Sequence, residues 1–141
     1  MQVEVYTQVI DATAEKEEGI AGIEQSWQLV PKKLRSNPAL VKAYASALIN
    51  VGSFDKAEAV LHSALRKNWD EELIRLYGLV PGSNPQKQLN VCEAWLPQRN
   101  NSAPLLLTLG RLSLANELWG KARDYFEASL SFNATTEVYA E

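Results

Sequence analysis

Two residues hold most of the conventional reactive chemistry in this chain, and the sequence keeps them apart. His62 is the only histidine and Cys92 the only cysteine among 141 residues. Nucleophilic catalysis needs a base held beside its nucleophile, so a single imidazole leaves little room for it. His62 follows the apolar Leu61 by one position on an amphipathic stretch, which turns it towards solvent. The ordinary reading is a surface histidine. The alternative is an axial ligand to haem iron, with Tyr77 as a second haem contact. Cys92 falls in a core register, so packing explains it better than redox or haem attachment. A lone cysteine also excludes an internal disulfide and a cysteine-based zinc site. Glu71 and Glu72 are adjacent at the start of an expected helix, where the macrodipole favours negative charge. The seven glycines nowhere form a phosphate-binding loop. Neither a catalytic residue nor a resident cofactor or metal is expected, apart from haem under the alternative.

The elements that would have to position these groups are organised around Pro38–Trp69. Two amphipathic helices are predicted there, from Pro38 to Asn50 and from Phe54 to Arg66, joined by a turn containing Gly52. Asn37 and Ser53 are good caps, and Pro38 stands where a first-turn proline is tolerated. Small residues fall where the helices must approach closely: Ala45 on the first, Ala57 and Ala64 on the second. Tyr44, Leu48, Phe54, Leu61 and Leu65 fill the space around them. The same arrangement recurs sixty-five residues later. Ala45 becomes Gly110, Ala57 becomes Ala122 and Ala64 becomes Ser129. Val41 becomes Leu106, Tyr44 becomes Leu109, Phe54 becomes Trp119, Leu61 becomes Phe126 and Leu65 becomes Leu130. Small stays small and large stays large, which is the tetratricopeptide pattern with one shortened repeat between the two copies.

The rest of the chain fits that frame. Val5, Tyr6, Val9 and Ile10 suit a helix face within Met1–Thr13, and Glu15–Val30 reads as its partner. Val30-Pro31 ends the latter, because the residue before proline avoids the α region. Lys32–Ser36 is a basic connector. Asp70 caps a short helix over Glu71–Leu79, and Asn84-Pro85 opens the next, with Leu89, Cys92, Trp95 and Leu96 inward. Pro97–Ser102 is a polar turn, followed by helices over Pro104–Ala115 and Leu118–Phe132. A truncated further helix is expected from Thr135, which implies a parent protein that continues past Glu141. The expected architecture is all-α: one repeat domain over 1–141, a right-handed superhelix of antiparallel pairs with seven to eight helices. The hairpins are expected at about 1–30, 38–67, 70–97 and 103–132.

Charge is unevenly spread. Residues 1–30 carry six acids against Lys16, a net −5. Residues 31–69 carry seven bases against Asp55 and Glu58, a net +5. Solvated helix faces account for this; the functional reading is a basic middle that meets an acidic partner or membrane headgroups. Nucleic acid is not an expected partner, since no basic stripe is interleaved with aromatics. No apolar run is long enough to span a bilayer. Projecting the repeat places Lys42, Ser46, Asn50, Tyr77, Thr108 and Arg111 on or near a concave face suited to an extended peptide or a partner's helix.

More specific strings accompany the repeat. WDEELIRLYG at 69–78, QLNVCEAWL at 88–96, LLLTLGRL at 105–112 and LWGKARDYFEASL at 118–130 together resemble the HemY family. W-x-x-V-P-x-x-L-R at 27–35 and AYASAL at 43–48 fit the same family, so the resemblance covers about residues 20–141. These are bacterial inner-membrane proteins linked to protohaem IX biosynthesis, not the oxidase that shares the name. The resemblance implies a membrane-anchored portion outside this chain and a soluble, cytoplasmic repeat domain. It further implies a non-catalytic scaffold whose partner is a late haem-biosynthesis enzyme. Direct haem or porphyrin carriage is the alternative.

Overall fold

The computed structural model describes residues 3, 5–8, 10 and 19–140, with side chains to Phe132 apart from Ile20. Residues 11–18, on which the expected start of the second helix falls, lie outside that set, as does Glu141. All regular structure among the described residues is helical. After helical residues 5–8 come α1 (Gly19–Gln28), α2 (Pro38–Asn50), α3 (Phe54–Lys67), α4 (Glu71–Tyr77), α5 (Pro85–Trp95), α6 (Ala103–Ala115) and α7 (Trp119–Ala140). Two 3-10 turns, Lys32–Leu34 and Leu96–Gln98, follow α1 and α5. The all-helical expectation and its repeat character hold. The chain divides into two compact units, Met1–Leu73 and Ile74–Glu141.

In the first unit α1 packs on α2 and α2 on α3. Asn37 caps α2, its Oδ1 accepting from the Ala39 N–H at 2.9 Å, with Pro38 in the first turn. Ile10, Ile23, Leu40, Leu48 and Leu61 are fully enclosed, and Ala45 and Ala57 with them. Small side chains at those two positions let the α2 and α3 backbones approach. The α2–α3 turn closes by two backbone bonds: Ser53 N–H donates to Leu48 O at 2.8 Å, and Gly52 N–H to Ile49 O at 3.0 Å. This is a Schellman termination, with Gly52 at φ 80 supplying the left-handed residue it requires. Ser53 differs from expectation. It occupies the cap position of α3, but its side chain makes no capping bond. Its ψ of 65 is far from the extended conformation that aims a cap side chain at the helix.

In the second unit α5 packs on α6 and α6 on α7. The C-terminal part of α4 lies against α6: Thr108 Oγ1 donates to Ile74 O at 2.7 Å, and a methyl added to Gly78 would meet Thr108 at 3.0 Å. Cys92 is buried, as its register implied. The α6–α7 turn repeats the α2–α3 turn bond for bond, Leu118 N–H to Ser113 O and Glu117 N–H to Leu114 O, both at 2.9 Å. Here the left-handed position is filled by Glu117, at φ 61. The break expected before Thr135 does not occur, and α7 runs on to Ala140. Asn133-Ala134-Thr135 contains neither glycine nor proline, so nothing stops a helix already propagating.

Candidate functional site

Lys42, Ser46 and Asn50 stand four residues apart on α2 and so share one face of that helix. Lys42 and Asn50 are exposed and Ser46 is half-buried. Lys42 Nζ lies 3.3 Å from Glu72 Oε2, an exposed ion pair of small energetic weight. Arg111, in the second unit, is half-buried beside a cleft of about 230 Å³ that Leu79, Pro81 and Gly82 also line. Tyr77 and Thr108 correct the sequence reading. Both are completely buried. Thr108 spends its hydroxyl on the Ile74 carbonyl, and Tyr77 meets Trp95 edge to face with ring centroids 6.3 Å apart. Ile74 and Tyr77 face inward while Arg75 between them is exposed, leaving Tyr77 no surface for either a protein partner or a haem. His62 is half-buried on α3.

The sequence reading missed a groove in the first unit of about 570 Å³. One wall is Trp27 of α1, stacked on Tyr44 with ring centroids 4.3 Å apart and planes 9° from parallel. Burial pushes the Tyr44 phenol above its usual pKa, against the opposing pull of the Arg35 charge. The connector supplies Lys32, Lys33 and Arg35. Arg35 is held by main chain: Nε donates to Val30 O at 3.1 Å and Nη2 to Gln28 O at 3.3 Å. Carbonyls orient the guanidinium without neutralising it. The opposite wall is one face of α3, on which Lys56, Val60, Ser63 and Lys67 follow at helical spacing. The floor reaches Val41, only 2% exposed. Among the described residues five cationic side chains line this groove and no acidic one does. Lys56 is ion-paired to Glu24. Among the described residues no carboxylate pairs with Lys32, Lys33 or Lys67. The available signal was the +5 of residues 31–69, together with the i, i+4, i+7, i+11 row on α3.

The corresponding face of α7 is differently furnished. Sixty-five residues on, Lys56 becomes Lys121 and Val60 becomes Tyr125. Glu93 of α5 accepts from Lys121 Nζ and from Tyr125 Oη, each at 2.8 Å. Burial pulls the Glu93 pKa upward, but the two donated bonds and the Lys121 charge outweigh it and hold it below the usual carboxylate value. Tyr125 is pushed up to about 12 by burial first, then by its bond to Glu93 and that residue's charge.

Among the described residues no cluster of histidine, cysteine and carboxylates could hold a metal ion. No described helix is long and apolar enough to cross a membrane.

Residues 38–80 match the family model described as tetratricopeptide repeat. The chain is similar to Protein HemY of Escherichia coli strain K12, 24% identical over 127 residues that cover 90% of this chain and 32% of that protein. Protein HemY of Escherichia coli O157:H7 and of Shigella flexneri match to the same extent. The chain therefore spans about a third of the length of the curated relatives it matches. No solved structure gives a significant match. The chain is thus similar to HemY over most of its length, and the tetratricopeptide repeat is matched within it at residues 38–80.

Proposed function

We propose that this chain is the protein-docking part of a membrane-anchored bacterial protein associated with haem biosynthesis, and that it holds a late-pathway enzyme rather than transforming a substrate. Tetratricopeptide repeats generally mediate protein–protein interaction, and the HemY-like character brings the haem association. The observation that carries the docking reading is the half-open groove beside α3, whose size suits several side chains of a partner. The parent protein sits in the inner membrane through a segment outside this chain, and this domain faces the cytoplasm.

The test is capture of late haem-pathway enzymes from bacterial membrane extract on the immobilised chain, repeated with each purified enzyme. Saturable binding to one of them is the expected result. Binding to none, or turnover of a porphyrin by the chain alone, overturns the scaffold. A Soret shift on adding haem, lost in His62→Ala, would assign a carrier instead.

A further inference from the structure

The groove of the first unit has a chemistry that narrows what can occupy it. Its cations are spread rather than convergent. Lys56 and Lys67 are eleven residues apart on one face of α3, about 16 Å at the helical rise. Lys32 and Lys33 belong to the connector on the other side. No single small anion reaches both ends of such an array, whereas an extended chain covers it in about five residues. Between the cations the surface is mainly apolar, with Trp27, Val41, Ala59, Val60 and Ala64 beside the hydroxyls of Ser36 and Ser63. Contact with the nearly buried Val41 requires something that projects inward, which a side chain does and a plane of lipid headgroups does not. Oppositely charged rims steer association, while a desolvated apolar centre holds the complex.

The molecule contains its own control. In the second unit the place of Val60 is taken by Tyr125, and Glu93 already occupies the cation and the hydroxyl there. The positions matching Lys32, Lys33 and Lys67 are Pro97, Gln98 and Phe132. Each copy pairs the lysine at this position with a carboxylate, Lys56 with Glu24 and Lys121 with Glu93, but only the first adds Lys32, Lys33 and Lys67 around an aliphatic Val60.

We infer that the groove between the Lys32–Arg35 connector and α3 receives an acidic peptide segment of a partner protein, its carboxylates on Lys32, Lys33 and Lys67 and an apolar side chain against Trp27 and Val60. This rests on the docking function proposed above and names the chemistry of the partner.

The test uses the full chain and a short fluorescein-labelled peptide alternating glutamate with leucine, read by fluorescence anisotropy. Saturable binding is expected, weakening steeply with salt and absent for the glutamine counterpart of the peptide. The double variant Lys32→Glu, Lys33→Glu, at two exposed positions, weakens it by about tenfold or more. Val60→Tyr, which copies the second unit, abolishes it, while Lys42→Glu outside the groove leaves it unchanged. Circular dichroism of each variant confirms that the helices persist. The inference is overturned if peptide affinity is indifferent to the lysine reversals. It is equally overturned if phosphatidylglycerol vesicles or inorganic phosphate displace the peptide at matched anion concentration, or if the groove variants instead dissociate a dimer of the chain. Should Val60→Tyr still capture the haem-pathway enzyme as well as the native chain does, the scaffold stands and the groove is not its docking site. Should the native chain capture nothing, the scaffold itself fails.

Discussion

The α2–α3 and α6–α7 hairpins are two solutions to one packing problem. Their turns are the same bond for bond, and their tight positions are all buried or nearly so: Ala45 with Gly110, and Ala57 with Ala122. They part on the outer face of the second helix. Leu65 is 3% exposed, but its counterpart Leu130 is 68% exposed, and Trp119 stands 65% exposed in the place of Phe54. The repeat pattern therefore encodes how two helices meet each other. What covers the far side of the pair is settled separately, residue by residue.

The largest expected effect tests that separation directly. Leu65→Ala removes an enclosed side chain and costs about 2–4 kcal/mol, whereas Leu130→Ala stays within about 0.5 kcal/mol. Urea denaturation of the two variants measures both, and equal costs would erase the distinction.

Next comes the pairing of sizes. The first hairpin has Ala45 and Leu61, and the second Gly110 and Phe126. A methyl on Gly110 would lie 2.5 Å from the Phe126 ring. Gly110→Ala should cost about 1–3 kcal/mol through overpacking, and adding Phe126→Leu should recover most of it. A double-mutant cycle without coupling would show that the two substitutions are independent.

A smaller effect sits in the turns. Glu117 holds a left-handed conformation that Gly52 adopts freely in the sister turn. Glu117→Gly should raise stability by about 1 kcal/mol, the left-handed penalty for a residue with a Cβ, set against the greater freedom of glycine when unfolded. Thermal melting reads it.

The smallest is a slope. Burial and Glu93 push the Tyr125 phenol up to about 12 from its usual 10, so the folded state binds its proton more tightly. That contribution is complete below pH 10 and is lost as pH rises towards 12. Tyr125→Phe should therefore show a shallower alkaline decline than the native chain in denaturation run across that window.

Much of this was legible because it is local. Asn37, Asp70 and Asn84 announce the starts of their helices, and each accepts a backbone N–H there. The Gly110 and Ala122 positions follow from spacing alone. Ser53 was misread because the cap pattern does not reveal that the preceding turn fixes its backbone. Tyr77 and Thr108 were misassigned because helical periodicity gives a face but not its neighbour, and a seven-residue α4 leaves little periodicity to use. The groove escaped for a related reason. Its lysines lie on a connector and on a helix more than twenty residues apart, and only the fold brings them to one cleft.

Arg35 ends up with two duties. Its guanidinium bonds the carbonyls of Gln28 and Val30, groups at and just past the end of α1 that have no continuing helix to accept for. An incoming carboxylate that drew this side chain away would unfasten the helix terminus at the same stroke. Occupancy of the cleft and the order of the α1 exit are thereby geared together, and a visitor that leaves Arg35 in place keeps that end tied.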